Sequence, residues 1–431
     1  MTREPKNIVL ADLIFIPPSR YLYARIGENT HAVCAGRIQI DHLTVRRRCD
    51  VRMMILCFMA LLLFPLIGES APAPVLNHAH SAVLMESATG EVIYDKYGDK
   101  RMPPASTTKI LTALIAIESG RLAEPVTVSE YAAKTKGSRM RLSAGQVLSL
   151  EELVTGLLLR SGNDAAVAIA EHLAGSVEAF AEQMNARAYA LGAHDCRFVN
   201  PHGLPAPDHY VTAKSLARIA RCAMENETFA NIVAKRTAEI DWEDTKGTHH
   251  QSLRNTNKLL WQYPAADGIK TGTTGEAGAC LVASAYKDGH RYIAVLLNDP
   301  TRWQDAAALL KWGFDEYVLL TGGQAGDDAG EATLVGGYEP TVRGELGDTL
   351  YALVKKETAE AALALTVWDE PIVAPVSRGQ KIGTRFYYAD GTLISSVDIV
   401  ASADAPHLAL FASCLFLYKD CLKCLSELSL I

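Results

Sequence analysis

Ser106 and Lys109 stand three residues apart at the head of PPASTTKILTALIAIESG (103–120), a run with no further charge before Glu118. On a helix, positions i and i+3 share a face, so hydroxyl and amine point the same way. A helix start also offers free backbone N–H groups and partial positive charge where Ser106 sits. An ammonium in apolar surroundings loses hydration, its pKa falls, and the neutral amine becomes a base able to take a serine proton. Taken alone the S-x-x-K spacing is common, and a surface lysine beside a capping serine has the same pattern.

Two more segments add to it. LLLRSGNDAA places Ser161, Gly162 and Asn163 in a break between two apolar helices, and ADGIKTGTTGEAG places Lys270, Thr271, Gly272 and Thr273 just before a strand pair. Each has an ordinary reading: a helix cap for SGN, an edge-strand lysine with a glycine bend for KTG. Their order and settings together (helix, interhelical break, strand) point to serine acyl-transfer chemistry.

The elements that must position these residues follow from pattern. SAVLMESATGEVIYDKY (81–97) reads as a hairpin about Thr89-Gly90. Pro103 and Pro104 exclude a helix before Ser106, the apolar residues of 107–119 run all round the helix, and Gly120 stops it. Ser149-Leu-Glu-Glu152 is a capping box opening a helix to about Leu159; a second helix runs to Gly175, a third covers about 177–191, and Thr212 caps a fourth. NPHGLPAPDHY between the last two is a loop. Residues 277–298 form two strands about Asp288-Gly289, and a last helix covers 303–314. The predicted architecture is α/β (α+β): an antiparallel sheet with packed helices and an all-helical lobe. TGGQAGDDAG reads as a linker (321–331) and 332–403 as a small all-β domain of short Val/Thr/Tyr runs between glycine turns.

The chain resembles the D-alanyl-D-alanine carboxypeptidases, the low-molecular-mass penicillin-binding proteins, through these three motifs and through FVNPHGLPAPDHYVTA (198–213) and GIKTGTTGEAGACLVASA (268–285). The resemblance covers about 77–402. It implies a serine β-lactamase/transpeptidase-like catalytic domain over 77–320, with the β domain appended. Carried over by position, Ser106 is the nucleophile, Lys109 its general base, and Ser161 a proton relay to the departing D-alanine. Asn163 holds the substrate amide and Lys109. Lys270, Thr271, Gly272 and Thr273 bind the substrate, and the N–H groups of Ser106 and Thr273 form an oxyanion hole. Gly272 is expected to leave room for substrate along the strand. The implied partners are the peptidoglycan stem pentapeptide and, as inhibitors, β-lactam antibiotics; neither cofactor nor metal is implied. Arg302 could steer the substrate carboxylate, but its place before a helix reads rather as a helix-flanking surface residue, and His202 and His209 read as structural.

Arg46, Arg47, Arg48 and Arg52 precede the apolar run 53–67, followed by Gly68, Ser70 and APAP. Positive flank, short apolar core and small-residue exit read as a signal peptide over 53–73, with 1–52 an extended or non-native segment. Export to the outer face of the cytoplasmic membrane follows. Residues 406–431 read as an amphipathic helix, its charges Lys419, Asp420, Lys423 and Glu427 in one stripe, suited to a membrane surface or to docking on the β domain. A formal net charge of −7 spread over 431 residues argues against nucleic-acid binding. The scattered cysteines show no metal-ligand spacing.

Three rivals share some of these features. A class A β-lactamase wants Ser-Asp-Asn and a glutamate-bearing loop, whereas Asn163 follows Gly162 here and NPHGLPAPDHY has no glutamate. A transpeptidase or endopeptidase differs only in acceptor or bond. A catalytically silent peptidoglycan-binding protein would be expected to lack one of Ser106, Lys109, Ser161 and Lys270.

Overall fold

The computed structural model describes residues 71–244, 247–408, 417–419 and 423. The predicted signal peptide and the segment before it, except 71–73, and nearly all of the predicted terminal helix lie outside the described residues. Among the described residues no helix is long and apolar enough to cross a membrane.

The central sheet starts with the predicted hairpin, β1 (Ser81–Glu86) and β2 (Val92–Lys96). Ala105–Thr108 then forms a 3-10 turn, and helix α1 begins only at Lys109 and runs to Glu118. Ser106 therefore sits in the tighter turn and not in the α-helix proper. The geometry expected of the pair survives, because i and i+3 eclipse in a 3-10 turn. Ala105 holds φ +49°, a left-handed conformation unfavourable to alanine, immediately before the serine. Apart from half-buried Ile115 and exposed Glu118, every residue of α1 is buried.

Strand β3 (Pro125–Thr127), short helix α2 (Glu130–Ala133) and strand β4 (Val147–Ser149) lead into α3 (Leu150–Arg160), which opens on the reciprocal Ser149/Glu152 capping box. Helices α4 (Asn163–Ala174), α5 (Val177–Ala190), α6 (Ala213–Glu225, capped by Thr212) and α7 (Glu227–Ala234) complete the helical lobe. Strands β5 (Thr237–Asp244) and β6 (Gly247–Arg254) form a long hairpin that joins β3 and β4 in a four-stranded sheet. That sheet was not foreseen from sequence. After α8 (Leu259–Gln262) come β7 (Ala266–Thr274), β8 (Gly278–Lys287) and β9 (His290–Leu297). They close the five-stranded antiparallel sheet in the order β2-β1-β9-β8-β7, which leaves β7 and its KTG segment at an edge. Helix α9 (Arg302–Glu316) covers the far face, where Leu309, Leu310 and Phe314 pack against Leu84, Tyr292 and Leu296.

The Gly/Asp run read as a linker contributes to two strands. Strand β10 (Tyr317–Gly323) pairs with β13 (Leu350–Lys355), and β11 (Asp328–Val335) pairs with β12 (Thr341–Leu346). Its glycines stand at register shifts, between Thr321 and Gly323 and between Asp328 and Gly330. Glycine and aspartate there mark bulges, which tolerate unusual φ, at the end of one strand and the start of the next. With β14 (Leu363–Trp368), β15 (Ile372–Val373), β16 (Lys381–Ala389) and β17 (Thr392–Ala401), strands β11 and β12 build a six-stranded sheet around Ile382, Ile399 and Leu346.

Candidate active site

Three separate segments meet at Ser106. The 3-10 turn supplies the hydroxyl, the α3–α4 junction supplies Ser161 and Asn163, and edge strand β7 supplies Lys270 to Thr273. Lys109 Nζ lies 2.9 Å from Ser106 Oγ, 2.7 Å from Asn163 Oδ1 and 2.5 Å from the His202 carbonyl oxygen. Lys109 is wholly buried. Burial, and then the charge of Lys270, push its pKa well below the usual lysine value, against a smaller opposing effect of Asp164. A neutral amine has two N–H donors and one lone pair. Two of its three neighbours are carbonyl oxygens that can only accept, so the lone pair is left facing the serine hydroxyl.

The partners of Lys109 are themselves fixed. The Asn163 Nδ2 donates to the Lys136 carbonyl at 2.6 Å, which settles the amide orientation with Oδ1 toward the lysine. Its backbone N–H donates to the Ser138 carbonyl. Neighbouring Asp164 is fully buried and accepts from the N–H groups of Met140, Arg141 and Leu142. The carboxylate thus pins the 136–142 loop against the start of α4. The His202 carbonyl is brought in by a turn whose next residue, Gly203, has φ +85°, and a Cβ there would stand 1.8 Å from the Ala105 carbonyl oxygen. Only glycine permits that approach.

The histidines read as structural stay so. His209 Nδ1 accepts from the Val199 N–H, leaving its Nε2–H for Thr108 Oγ1 at 3.0 Å, and Thr108 Oγ1 donates in turn to the Ala105 carbonyl. Burial, followed by the Lys109 charge, lowers His209 to about 4 and His202 to about 3, so both are neutral near pH 7.

Lys270 is also buried and donates to the Thr271 carbonyl at 3.0 Å, not to Ser106. Burial and the Arg302 charge bring its pKa down to about 7. Thr271 Oγ1 meets Thr256 Oγ1 at 3.1 Å, and Thr273 is exposed at the rim. Gly272 has a packing reason besides the room for substrate expected of it. A Cβ on it would lie 2.8 Å from the Ser106 nitrogen and 3.0 Å from Ala105 Cβ, so the strand needs glycine to abut the Ser106 turn. Ser161, at φ +62° in the C-cap of α3, carries a buried hydroxyl with no hydrogen-bond partner among the described residues. Ser161 makes no hydrogen bond to Lys109.

Arg302 corrects the surface reading. It is half-buried, and its Nη1 donates to the Gly272 carbonyl at 2.8 Å, to Thr273 Oγ1 at 3.0 Å and to the Cys280 carbonyl at 3.0 Å. The first position of α9 thereby places a second cation beside Lys270. Sequence reasoning set Arg302 aside as a surface residue and missed the His202 carbonyl and Asp164, whose only local signals were a His-Gly turn and the aspartate of SGND.

Residues 68–301 match the family model described as D-alanyl-D-alanine carboxypeptidase. The chain belongs to the D-alanyl-D-alanine carboxypeptidase family. Residues 322–407 match a second model, the C-terminal domain of penicillin-binding protein 5, which accounts for the β domain of this family member. The chain is 33% identical to D-alanyl-D-alanine carboxypeptidase DacF of Bacillus subtilis, over 76% of this chain and 86% of that protein. Its fold is similar to that of penicillin-binding protein 5 from Haemophilus influenzae, with TM-score 0.70 and 30% identity across 78% of this chain and all of the other. It is similar as well to D-alanyl-D-alanine carboxypeptidase DacD from Francisella tularensis, with TM-score 0.63 and 28% identity over 81% of this chain and 98% of that one.

Proposed function

We infer that the chain is a serine-type D-alanyl-D-alanine carboxypeptidase that removes the terminal D-alanine of peptidoglycan stem peptides through an acyl-enzyme on Ser106. One observation carries this reading: a buried lysine amine 2.9 Å from the serine oxygen, its other two partners both carbonyl oxygens. Lys109 takes the Ser106 proton as the oxygen attacks the carbonyl carbon between the two D-alanines. The N–H groups of Ser106 and Thr273 receive the developing oxyanion, an interaction worth about 3–4 kcal/mol of barrier per donor. Lys270 and Arg302 supply positive potential for the substrate carboxylate, with the Thr271 and Thr273 hydroxyls beside it.

Collapse of the tetrahedral species breaks the C–N bond, and the departing amine takes a proton from Lys109 by way of Ser161. The unpaired Ser161 hydroxyl supports that role, because a buried polar group without a partner is costly and gains one when the leaving amine arrives. Water then attacks the ester carbon, Lys109 taking a proton from it and passing it to Ser106 Oγ as the acyl C–O bond breaks, and the shortened peptide leaves with a new carboxylate. β-Lactams acylate the same serine and stop at that stage. The arginine-flanked apolar run and small-residue exit support export, and the charge stripe of 406–431 supports attachment to the outer face of the cytoplasmic membrane.

The test is release of free D-alanine from a D-Ala-D-Ala-terminated stem peptide, with labelling by a fluorescent penicillin. Both activities are expected in the wild type and neither in Ser106→Ala. Labelling that persists in that variant would place the nucleophile elsewhere.

A further inference from the structure

The peptide unit that joins Ala105 to Ser106 is trans and planar, so its carbonyl and its N–H point in opposite directions and turn together. The N–H is one of the two assigned to the oxyanion. It opens the 3-10 turn, where no preceding turn supplies an acceptor, and it donates to nothing among the described residues. Its direction must therefore be set from the other edge of the plane.

The carbonyl edge is held on two sides. Ala105 has φ +49°, a conformation that alanine does not keep without support. The Thr108 hydroxyl donates to the Ala105 oxygen at 2.9 Å. His209 Nε2 lies 3.0 Å from that same hydroxyl, and its Nδ1 accepts from the Val199 N–H at 3.1 Å. The Val199 donor assigns the ring proton to Nε2, so the order of donation runs from ring to hydroxyl to carbonyl. Thr108 is wholly buried and His209 nearly so, which strengthens both bonds. On the other side Gly203 closes on the oxygen so tightly that a Cβ there would stand 1.8 Å away.

The ring itself is seated by its loop. Phe198 meets it edge-on, with 5.8 Å between ring centres. Thr112, one turn beyond Thr108, donates to the Pro201 carbonyl at 2.7 Å, and Lys109 reaches the His202 carbonyl. Thr108, Lys109 and Thr112 thus all bind the segment 201–209. Burial beside Lys109 keeps His209 neutral near pH 7, as an accepting Nδ1 requires.

We propose that His209 and Thr108 are positioning residues that aim the Ser106 N–H at the oxyanion. The ring holds the hydroxyl, the hydroxyl holds the Ala105 carbonyl, and the rigid peptide plane carries that setting to the N–H on its far edge. Neither side chain touches the substrate. The assignment rests on the carboxypeptidase reading above, which puts the oxyanion at this N–H.

The test uses the full chain and counts sites by penicillin labelling, so that each rate refers to folded enzyme. Thr108→Val keeps the shape and removes the hydroxyl. It is expected to lower kcat on a D-Ala-D-Ala peptide about tenfold, a part of what losing a whole oxyanion donor costs. Acylation and deacylation each pass through an oxyanion, so KM should stay near its wild-type value. A peptide boronic acid, whose tetrahedral adduct on Ser106 sets an oxygen in the oxyanion position, should bind this variant about tenfold more weakly. Thr108→Ser restores the hydroxyl and should restore both. His209→Phe should lower kcat and boronate affinity together, by less, and His209→Gln, whose amide can donate to Thr108, should recover most of that loss.

A purely structural role would lower the melting temperature and the labelled fraction and leave kcat per site and boronate affinity unchanged. That result in Thr108→Val, or in His209→Phe should Thr108→Val not fold, would overturn the proposal. So would a fall in kcat with unchanged boronate affinity. A wild type that labels with penicillin yet releases no D-alanine would overturn the carboxypeptidase reading instead. The rates at which penicillin acylates the same variants would still decide the role of His209 and Thr108, because that reaction forms its oxyanion at the same N–H.

Discussion

A methyl group placed on Gly272 would stand 2.8 Å from the backbone nitrogen of Ser106, closer than real Cβ contacts come. Its next neighbours would be Ala105 Cβ at 3.0 Å and the Thr107 nitrogen at 3.1 Å, none of them able to swing aside. The strand and the Ser106 turn are thus set against each other by the absence of one side chain. In Gly272→Ala one of them must retreat, which misaligns the two N–H groups assigned to the oxyanion. Penicillin acylation is expected to slow about 10²-fold, the scale of one lost oxyanion donor. Stopped-flow labelling measures it, with far-ultraviolet dichroism to show a retained fold; acylation at the wild-type rate would mean the contact is easily relieved.

Arg302 ties β7 to β8 through the carbonyls of Gly272 and Cys280 and places its charge near Lys270. In Arg302→Ala, KM for the D-Ala-D-Ala peptide should rise about tenfold for one lost charge-assisted contact to the carboxylate. Removing a neighbouring positive charge favours the protonated form of Lys270, so the pKa now held at about 7 should move upward. The pH profile of kcat/KM registers this as a limb displaced to higher pH. A raised KM with an unmoved profile would separate carboxylate binding from any influence on Lys270.

The parts of this site that depend on local spacing are legible in the sequence. Ser106 and Lys109 share a face in any tight helical turn, and the Ser149/Glu152 box, the Thr212 cap and the Asp288-Gly289 turn each fix their element within a few residues. What sequence could not supply was long-range contact. Arg302 reaches Gly272 across 30 positions, and Lys109 reaches the His202 carbonyl across 93. A backbone carbonyl has no identity in a sequence, so its role was invisible. Strands β3 and β4 have three residues each, and β4 acquires its second partner β5 about a hundred positions later, too short and too separated for alternation to show. The strand ends within 321–330 were hidden for a related reason: glycine and aspartate signal unusual φ, which bulges and linkers share.

Asp164 lends itself to a conservative test. One oxygen accepts from Met140 and Ala165, the other from Arg141 and Leu142. In Asp164→Asn whichever oxygen becomes an amide nitrogen turns a donor toward two donors, at a cost of about 2–4 kcal/mol. Thermal melting should show the loss directly. The substitution also removes the negative charge that raises the Lys109 pKa, so the acid limb of the acylation profile should shift to lower pH. A purely structural role would lower the melting temperature and leave that limb in place.

The two buried lysines make a signed prediction about stability. In the unfolded chain both amines titrate near 10.4. In the fold Lys270 titrates at about 7 and Lys109 well below its usual value, chiefly because burial disfavours their charged forms. Between the folded and unfolded pKa values the unfolded chain binds more protons than the native one. Stability therefore rises with pH across that window, is complete above 10.4, and is lost as pH falls toward 7. Cys196, raised to about 12 by burial, acts in the opposite sense above its unfolded pKa, so the lysine contribution must be isolated by difference. Urea unfolding of the wild type and of Lys109→Met/Lys270→Met, from pH 7 to 9.5, does so. The wild type should gain stability with pH relative to the double variant, and the variant should be the more stable protein at pH 7. Parallel pH dependences would mean that the amines remain protonated in the fold, and Lys109 could not then serve as the base.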